Sequence, residues 1–180
     1  VPESPYDPRV ALFRVERTSA LPVGECWRRV TRWRRHADTV PFTRIIVRTR
    51  PPDARGTVFV ARTALGPFGF DDPMEVVDWR PPTEAGSAPE PDPGPAARAR
   101  TGGAAEGWCR LVKRGRVVTG WAEITVRTRA GGSQVVWRED MRVRFLPRTC
   151  DPLLVVACRL VFGRALDSLL STGTSAERER

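Results

Sequence analysis

Apolar and polar residues alternate singly over several stretches of this chain and shift to a helical spacing over others. Ala11, Phe13 and Val15 alternate with Leu12, Arg14 and Glu16, which predicts a first strand over Val10 to Thr18. Cys26, Trp27, Val30 and Trp33 then share one helical face, opposite Arg28, Arg29 and Arg32. This spacing predicts a helix over Pro22 to Trp33, with proline in the first turn, where its missing N–H costs nothing. A second short helical turn is predicted over Arg34 to Thr39, ended by Pro41.

Strand patterns follow. They cover Phe42 to Arg50, Thr57 to Leu65 and Asp72 to Arg80, with breakers at Pro51-Pro52-Asp53, Gly66-Pro67-Phe68-Gly69 and Pro81-Pro82. Three more are predicted at Trp108 to Arg114, Val117 to Arg127 and Ser133 to Phe145. The last alternates most clearly. Val135, Trp137, Glu139, Met141, Val143 and Phe145 share one side, and Gln134, Arg138, Asp140, Arg142 and Arg144 the other. One dry face and one wet face describe an antiparallel sheet covered on one side.

A long helix closes the pattern, from an expected N-cap at Asp151, with Pro152 in its first turn, to Leu170. Leucine, valine and phenylalanine occupy most of its circumference. Arg159, Arg164 and Asp167 leave only a narrow polar stripe, so the helix is expected to be largely buried. Residues 1–9 read as a flexible arm and 172–180 as a flexible tail, around one domain over 10–171. Residues 83–106, rich in Pro, Ala and Gly, lack the apolar surface that ordering requires and are expected to be a disordered insertion.

The order is one strand, two short helices, six strands and a long helix. Strands joined by short turns pair antiparallel. The predicted fold class is therefore α+β, with a seven-stranded antiparallel sheet whose dry face needs a cover. The terminal helix is the one large apolar cover in sight. A helix is about 10 Å wide, much less than seven strands spaced at about 4.8 Å. The sheet must curl around it, and the curl leaves a hollow of the kind that takes up small molecules.

That order, the segment Thr18-Ser19-Ala20-Leu21-Pro22, the stretch Trp33 to Pro41 and Gly69-Phe70-Asp71-Asp72-Pro73-Met74 resemble the START-like, or SRPBCC, superfamily. The likeness runs over about residues 10 to 170 outside the insertion. It implies a helix-grip fold with a cavity for lipids, polyketides, hormones or similar apolar ligands. Polyketide cyclases and birch-pollen-allergen-like proteins are among the members that it brings to mind.

Composition narrows the partners. The net charge is +9 and Lys113 is the sole lysine, so arginine carries the surplus. The arginines are dispersed in short doublets along all 180 residues, which fits a solvated basic surface and argues against a nucleic-acid partner. No apolar run is long enough to span a bilayer. Val1 to Pro8 is polar and unlike a secretory leader, so a cytoplasmic location is expected. Cys26, Cys109, Cys150 and Cys158 form no CxxC pair and His36 is the sole histidine, so neither a metal nor another cofactor is expected. Asp71-Asp72 is too sparse for a metal-binding loop.

Glu139 is the candidate anchor, because alternation aims its carboxylate into a dry face. A buried carboxylate needs a partner or a proton. Arg62, alternating with Val58, Val60 and Ala64, and Lys113, alternating with Cys109 and Leu111, are the two cations offered for it. Trp137 and Met141 flank Glu139 as walls. Phe70 stands on a turn that either gates entry or packs as a hairpin corner. His36 reads as an exposed surface histidine near the cavity mouth, with acid–base work as its alternative. Two functions fit this set best. One is a binder or carrier of a small hydrophobic ligand. The other is an aromatase/cyclase-like enzyme that uses Glu139 or His36. A protein-binding module that uses the groove for a partner is a third class.

Overall fold

The computed structural model describes residues 11–40, 42–65, 67–83 and 105–171. The expected arm, most of the insertion (84–104), the tail, Pro41 and Gly66 lie outside the described residues. Seven strands form one antiparallel sheet: β1 (Ala11–Ser19), β2 (Thr43–Val47), β3 (Val58–Leu65), β4 (Phe68–Arg80), β5 (Glu106–Arg114), β6 (Val118–Arg129) and β7 (Gly132–Val143). The sheet order is β1-β7-β6-β5-β4-β3-β2. Between β1 and β2 lie α1 (Val23–Val30) and a 3-10 segment (Trp33–Asp38), and α2 (Asp151–Leu170) ends the described chain.

Several boundaries differ from the sequence expectation: β2 stops at Val47 and β7 at Val143, which leaves Phe145 outside the sheet and 79% exposed. β4 begins at Phe68, so the turn before it is shorter than predicted, and Gly69 pairs with Ala64 inside the ladder. β5 begins at Glu106, inside the segment expected to be disordered, because Glu106 and Gly107 pair with Arg127 and Val126. Cys150, not Asp151, occupies the cap of α2. The chain enters from a 3-10 turn over Arg148–Cys150, so Asp151 already lies in the first helical turn and makes no side-chain cap bond.

Two ends of the sheet are built differently. At one end α1 presses Cys26, Trp27 and Val30 onto the sheet, all of them buried. Trp27 and Trp79 pack with ring centroids 5.0 Å apart. Gly107 lies under Trp27, and a Cβ there would come within 2.7 Å of the indole. The C-terminal half of α2 closes this end through Ala165, Leu166, Leu169 and Leu170. β1 holds that helix by an aromatic contact, Phe13 to Phe162 at 5.1 Å, and by Arg17, whose Nε lies 2.5 Å from Asp167 Oδ1. Gly163 lets the guanidinium lie against the helix, since a Cβ there would approach Arg17 Nη2 to 2.8 Å.

The N-terminal half of α2 departs from the expectation of a largely buried helix. Leu154, Val155 and Phe162 pack inward, but Leu153, Val156 and Leu160 are exposed by 73%, 55% and 54%. A single helix lying on a concave sheet offers it one side only. Among the described residues nothing packs over the other side.

Candidate ligand site

The opposite end of the sheet, bounded by the start of β4 and the ends of β5 and β7, encloses a cavity of about 180 Å³. Trp33, Phe59, Trp137 and Phe162 form its aromatic walls, and Leu111 and Ala122 lie between them. Trp33 stacks on Phe59 at 4.9 Å with ring planes 15° apart. Trp137 lies 5.1 Å from Phe162 and 5.6 Å from the His36 ring.

Strand parity builds the polar part. Trp137, Glu139 and Met141 point inward from β7, and Lys113 follows Cys109 and Leu111 inward on β5. On β4 the same face carries Phe70, Asp72 and Met74. Lys113 pairs with Met74 on one neighbouring strand and with Gly120 on the other. Gly120, at φ +133°, passes so close to β7 that a Cβ there would run into the Asp140 carbonyl oxygen. Lys113 Nζ donates to Asp72 Oδ2 at 2.7 Å and lies 3.2 Å from Glu139 Oε1. Trp137 Nε1 donates to Glu139 Oε2 at 2.8 Å. Lys113, Asp72 and Glu139 are 6%, 6% and 1% exposed, so this trio is cut off from water.

Such isolation changes the protonation of each member. Burial pushes the Asp72 and Glu139 carboxyls up, against the pull of the Lys113 ammonium. Burial alone would lower Lys113, but the two carboxylates outweigh it and hold the ammonium above its ordinary value. Two acids face one base. Asp72 Oδ1 is buried without a hydrogen-bond partner, and so is Trp33 Nε1.

His36 is buried, not exposed as expected. Its Nε2–H donates to the Val30 carbonyl at 2.9 Å, which leaves Nδ1 as an acceptor in the neutral ring. Burial lowers its pKa and the backbone bond offsets this only in part. The 3-10 segment turns the ring inward between Trp33 and Trp137, a packing invisible to a search for catalytic motifs.

Arg62 is the other departure. It lies on the outer face, bonded by Nε and Nη2 to both Asp71 oxygens at 2.7 and 2.8 Å, with its side chain 51% exposed. Both faces of β3 carry apolar residues, and the inward one is Phe59, Ala61 and Thr63. Arg62 therefore does not meet Glu139, and Lys113 does. Phe70 is half-buried on the cavity wall. Asp72 is the residue that the sequence reading missed. Its signal was parity with Phe70, Met74 and Val76, an acid on an apolar face just like Glu139.

No group of metal-ligating side chains occurs among the described residues. Of the free cysteines, Cys158 feels the charges of the trio, its thiol pushed up to about 11 by burial and by Glu139, while burial pushes Cys109 up to about 12.

No protein-family model matches the chain, and no curated protein matches it in sequence. Solved structures do match in shape. Ara h 8.0201 is similar with a TM-score of 0.53 at 12% identity, over 91% of this chain and 99% of that one. TTHA0849 from Thermus thermophilus is similar with a TM-score of 0.59 at 13% identity, over 88% of this chain and 93% of that one. The chain has the helix-grip fold. The Zhui aromatase/cyclase from Streptomyces has the same helix-grip shape, with a TM-score of 0.50 at 16% identity, over 88% of this chain and 93% of that one. At these identities the likeness concerns the helix-grip architecture and leaves the ligand and the chemistry to the site itself. No helix among the described residues is long and apolar enough to cross a membrane.

Proposed function

We propose that this protein binds a small, mostly apolar molecule in the cavity between sheet and α2, with Glu139, Lys113 and Asp72 engaging a polar group on it. The observation that carries this reading is a buried ionic trio on the wall of an otherwise apolar cavity. Ion pairs inside a protein contribute little net stability, since desolvation offsets their attraction. A trio at the rim of an empty space therefore fits a binding role better than a scaffolding one. Trp137, Met141 and Phe70 serve as walls of that site. Arg62 has no part in it.

Size limits the guest. An engineered apolar cavity of about 150 Å³ accommodates benzene, and drug-sized ligands occupy about 300–1,000 Å³. A cavity of about 180 Å³ suits a molecule of roughly one ring. A lipid or a multi-ring polyketide would require α2 to lift from the sheet.

The test is an NMR titration with toluene. Saturable shifts of the Trp33 and Trp137 indole N–H signals, lost in Ala122→Phe, are expected. A flat response of the parent protein to toluene and to its hydroxylated analogue p-cresol alike would defeat the reading. An aromatase/cyclase-like reaction is the second reading, favoured by the same trio because Glu139 is a buried carboxyl whose pKa is raised toward the acid–base range. In that case Glu139→Gln retains ligand affinity and loses turnover.

A further inference from the structure

We infer that the cavity selects an uncharged, hydroxyl-bearing ligand of about one ring and rejects carboxylates of the same size. The inference rests on the binding role proposed above and specifies the chemistry of the guest.

Charge counting comes first. The site holds one ammonium, Lys113, and two carboxyl groups, Asp72 and Glu139, all at least nine-tenths buried. His36, the remaining titratable group on the cavity wall, donates Nε2–H to a backbone carbonyl, and its lowered pKa keeps it neutral. Arg62 is outside on the opposite face. A ligand carboxylate would add a third acid against a single base, in a space walled mostly by hydrocarbon. The surplus acid needs only a proton, and burial already favours that proton on Asp72 and Glu139.

Hydrogen-bond counting comes second. Asp72 Oδ1 is a buried oxygen without a hydrogen-bond partner, and Trp33 Nε1 is a buried donor without an acceptor. Both residues line the cavity. Buried polar groups are nearly always paired in folded proteins, so these two atoms are the ones that a guest completes. A hydroxyl pairs with Asp72 Oδ1 in either form, donating to the ionised oxygen or accepting from the protonated one, and a hydroxyl or carbonyl oxygen accepts from Trp33 Nε1. A plain hydrocarbon satisfies neither.

Four probes of one-ring size test this: p-cresol, toluene, 4-methylbenzoate and benzylamine, each titrated at pH 7.5 while the Trp33 indole N–H signal is followed. The expected order places p-cresol at least about tenfold tighter than toluene, the scale of one buried hydrogen bond to an otherwise unpaired group. 4-Methylbenzoate is expected to bind more weakly than toluene, and benzylamine more weakly than p-cresol. Asp72→Asn leaves the amide oxygen on Lys113 and puts an N–H donor where Oδ1 stood, so 4-methylbenzoate gains affinity and p-cresol loses it. Toluene equal to p-cresol, or either ion tighter than p-cresol, overturns the selectivity while leaving the cavity as a binding site. Silence from all four probes overturns the binding site itself, and the selectivity with it.

Discussion

The two ends of this sheet face the same helix and are built from similar residues, yet one is solid and the other hollow. At the α1 end, Trp27, Trp79, Val30 and Cys26 fill the concavity, and Gly107 is needed to fit Trp27. At the far end no equivalent of α1 occurs among the described residues. Trp33 and His36 reach in from the 3-10 segment, and α2 covers the gap with Phe162 and Leu154. What remains is a cavity with charges on its wall. The comparison shows how one fold keeps a rigid frame and a binding space side by side. The frame is where an added atom has no room, and the site is where buried polar atoms lack partners.

The largest effect is expected at the charged wall. Lys113→Met leaves Asp72 and Glu139 buried without a cation, and should lower unfolding free energy by about 3–5 kcal/mol in urea titrations at pH 8. The pH dependence has a definite sign. Acids whose folded pKa is raised stabilise the fold below their unfolded values, near pH 4, and that stability is lost as pH rises through the folded ones. The Lys113→Met variant should therefore recover part of its deficit at pH 5. The exposed Arg62–Asp71 pair makes the contrast: Arg62→Met should leave the urea midpoint unmoved, and a large shift there would erase the distinction between inner and outer ion pairs.

Packing supplies the next comparison. Gly107→Ala drives a methyl into Trp27 and Pro82, and is expected to cost about 1–3 kcal/mol. Ala122→Val adds two methyl groups toward the cavity, and should cost less than Gly107→Ala by the same urea measurement. Equal costs would mean that the hollow end is as tightly filled as the solid one.

His36 gives a smaller, pH-dependent effect. Its folded pKa is lowered, so its contribution to stability is present above the unfolded value near 6.5 and is lost as pH falls through the folded one. Between pH 6.5 and pH 5 this amounts to at most about 2 kcal/mol. Thermal melts at pH 7.5 and 5 should show a larger acid loss in the parent than in His36→Gln. Identical losses would place His36 in water. The smallest effect is expected at Leu160→Gln on the outer side of α2, within about 0.5 kcal/mol.

Much of this architecture was legible as period. The β7 alternation put Glu139 and Trp137 on the dry face, and the β5 alternation did the same for Lys113, because successive side chains on a strand must point to opposite sides. α2 was found from Asp151 to Leu170, since a long apolar helical run has few other readings. Its exposed outer side was not legible, because hydrophobicity records what a side chain avoids and not how much cover is available.

By itself the sequence determined the order of the elements, the curl they require and the side of β7 and β5 on which the charges lie. The tertiary structure alone decided which face of β3 turns inward, and so sent Arg62 to solvent and its neighbour pair partner Asp71 with it. It also brought Asp72, Lys113 and Glu139 together from three strands and folded His36 under Trp137. The reason is one of range. Alternation is a property of adjacent residues and survives in any register, whereas a contact between strands depends on register, curvature and what packs on top.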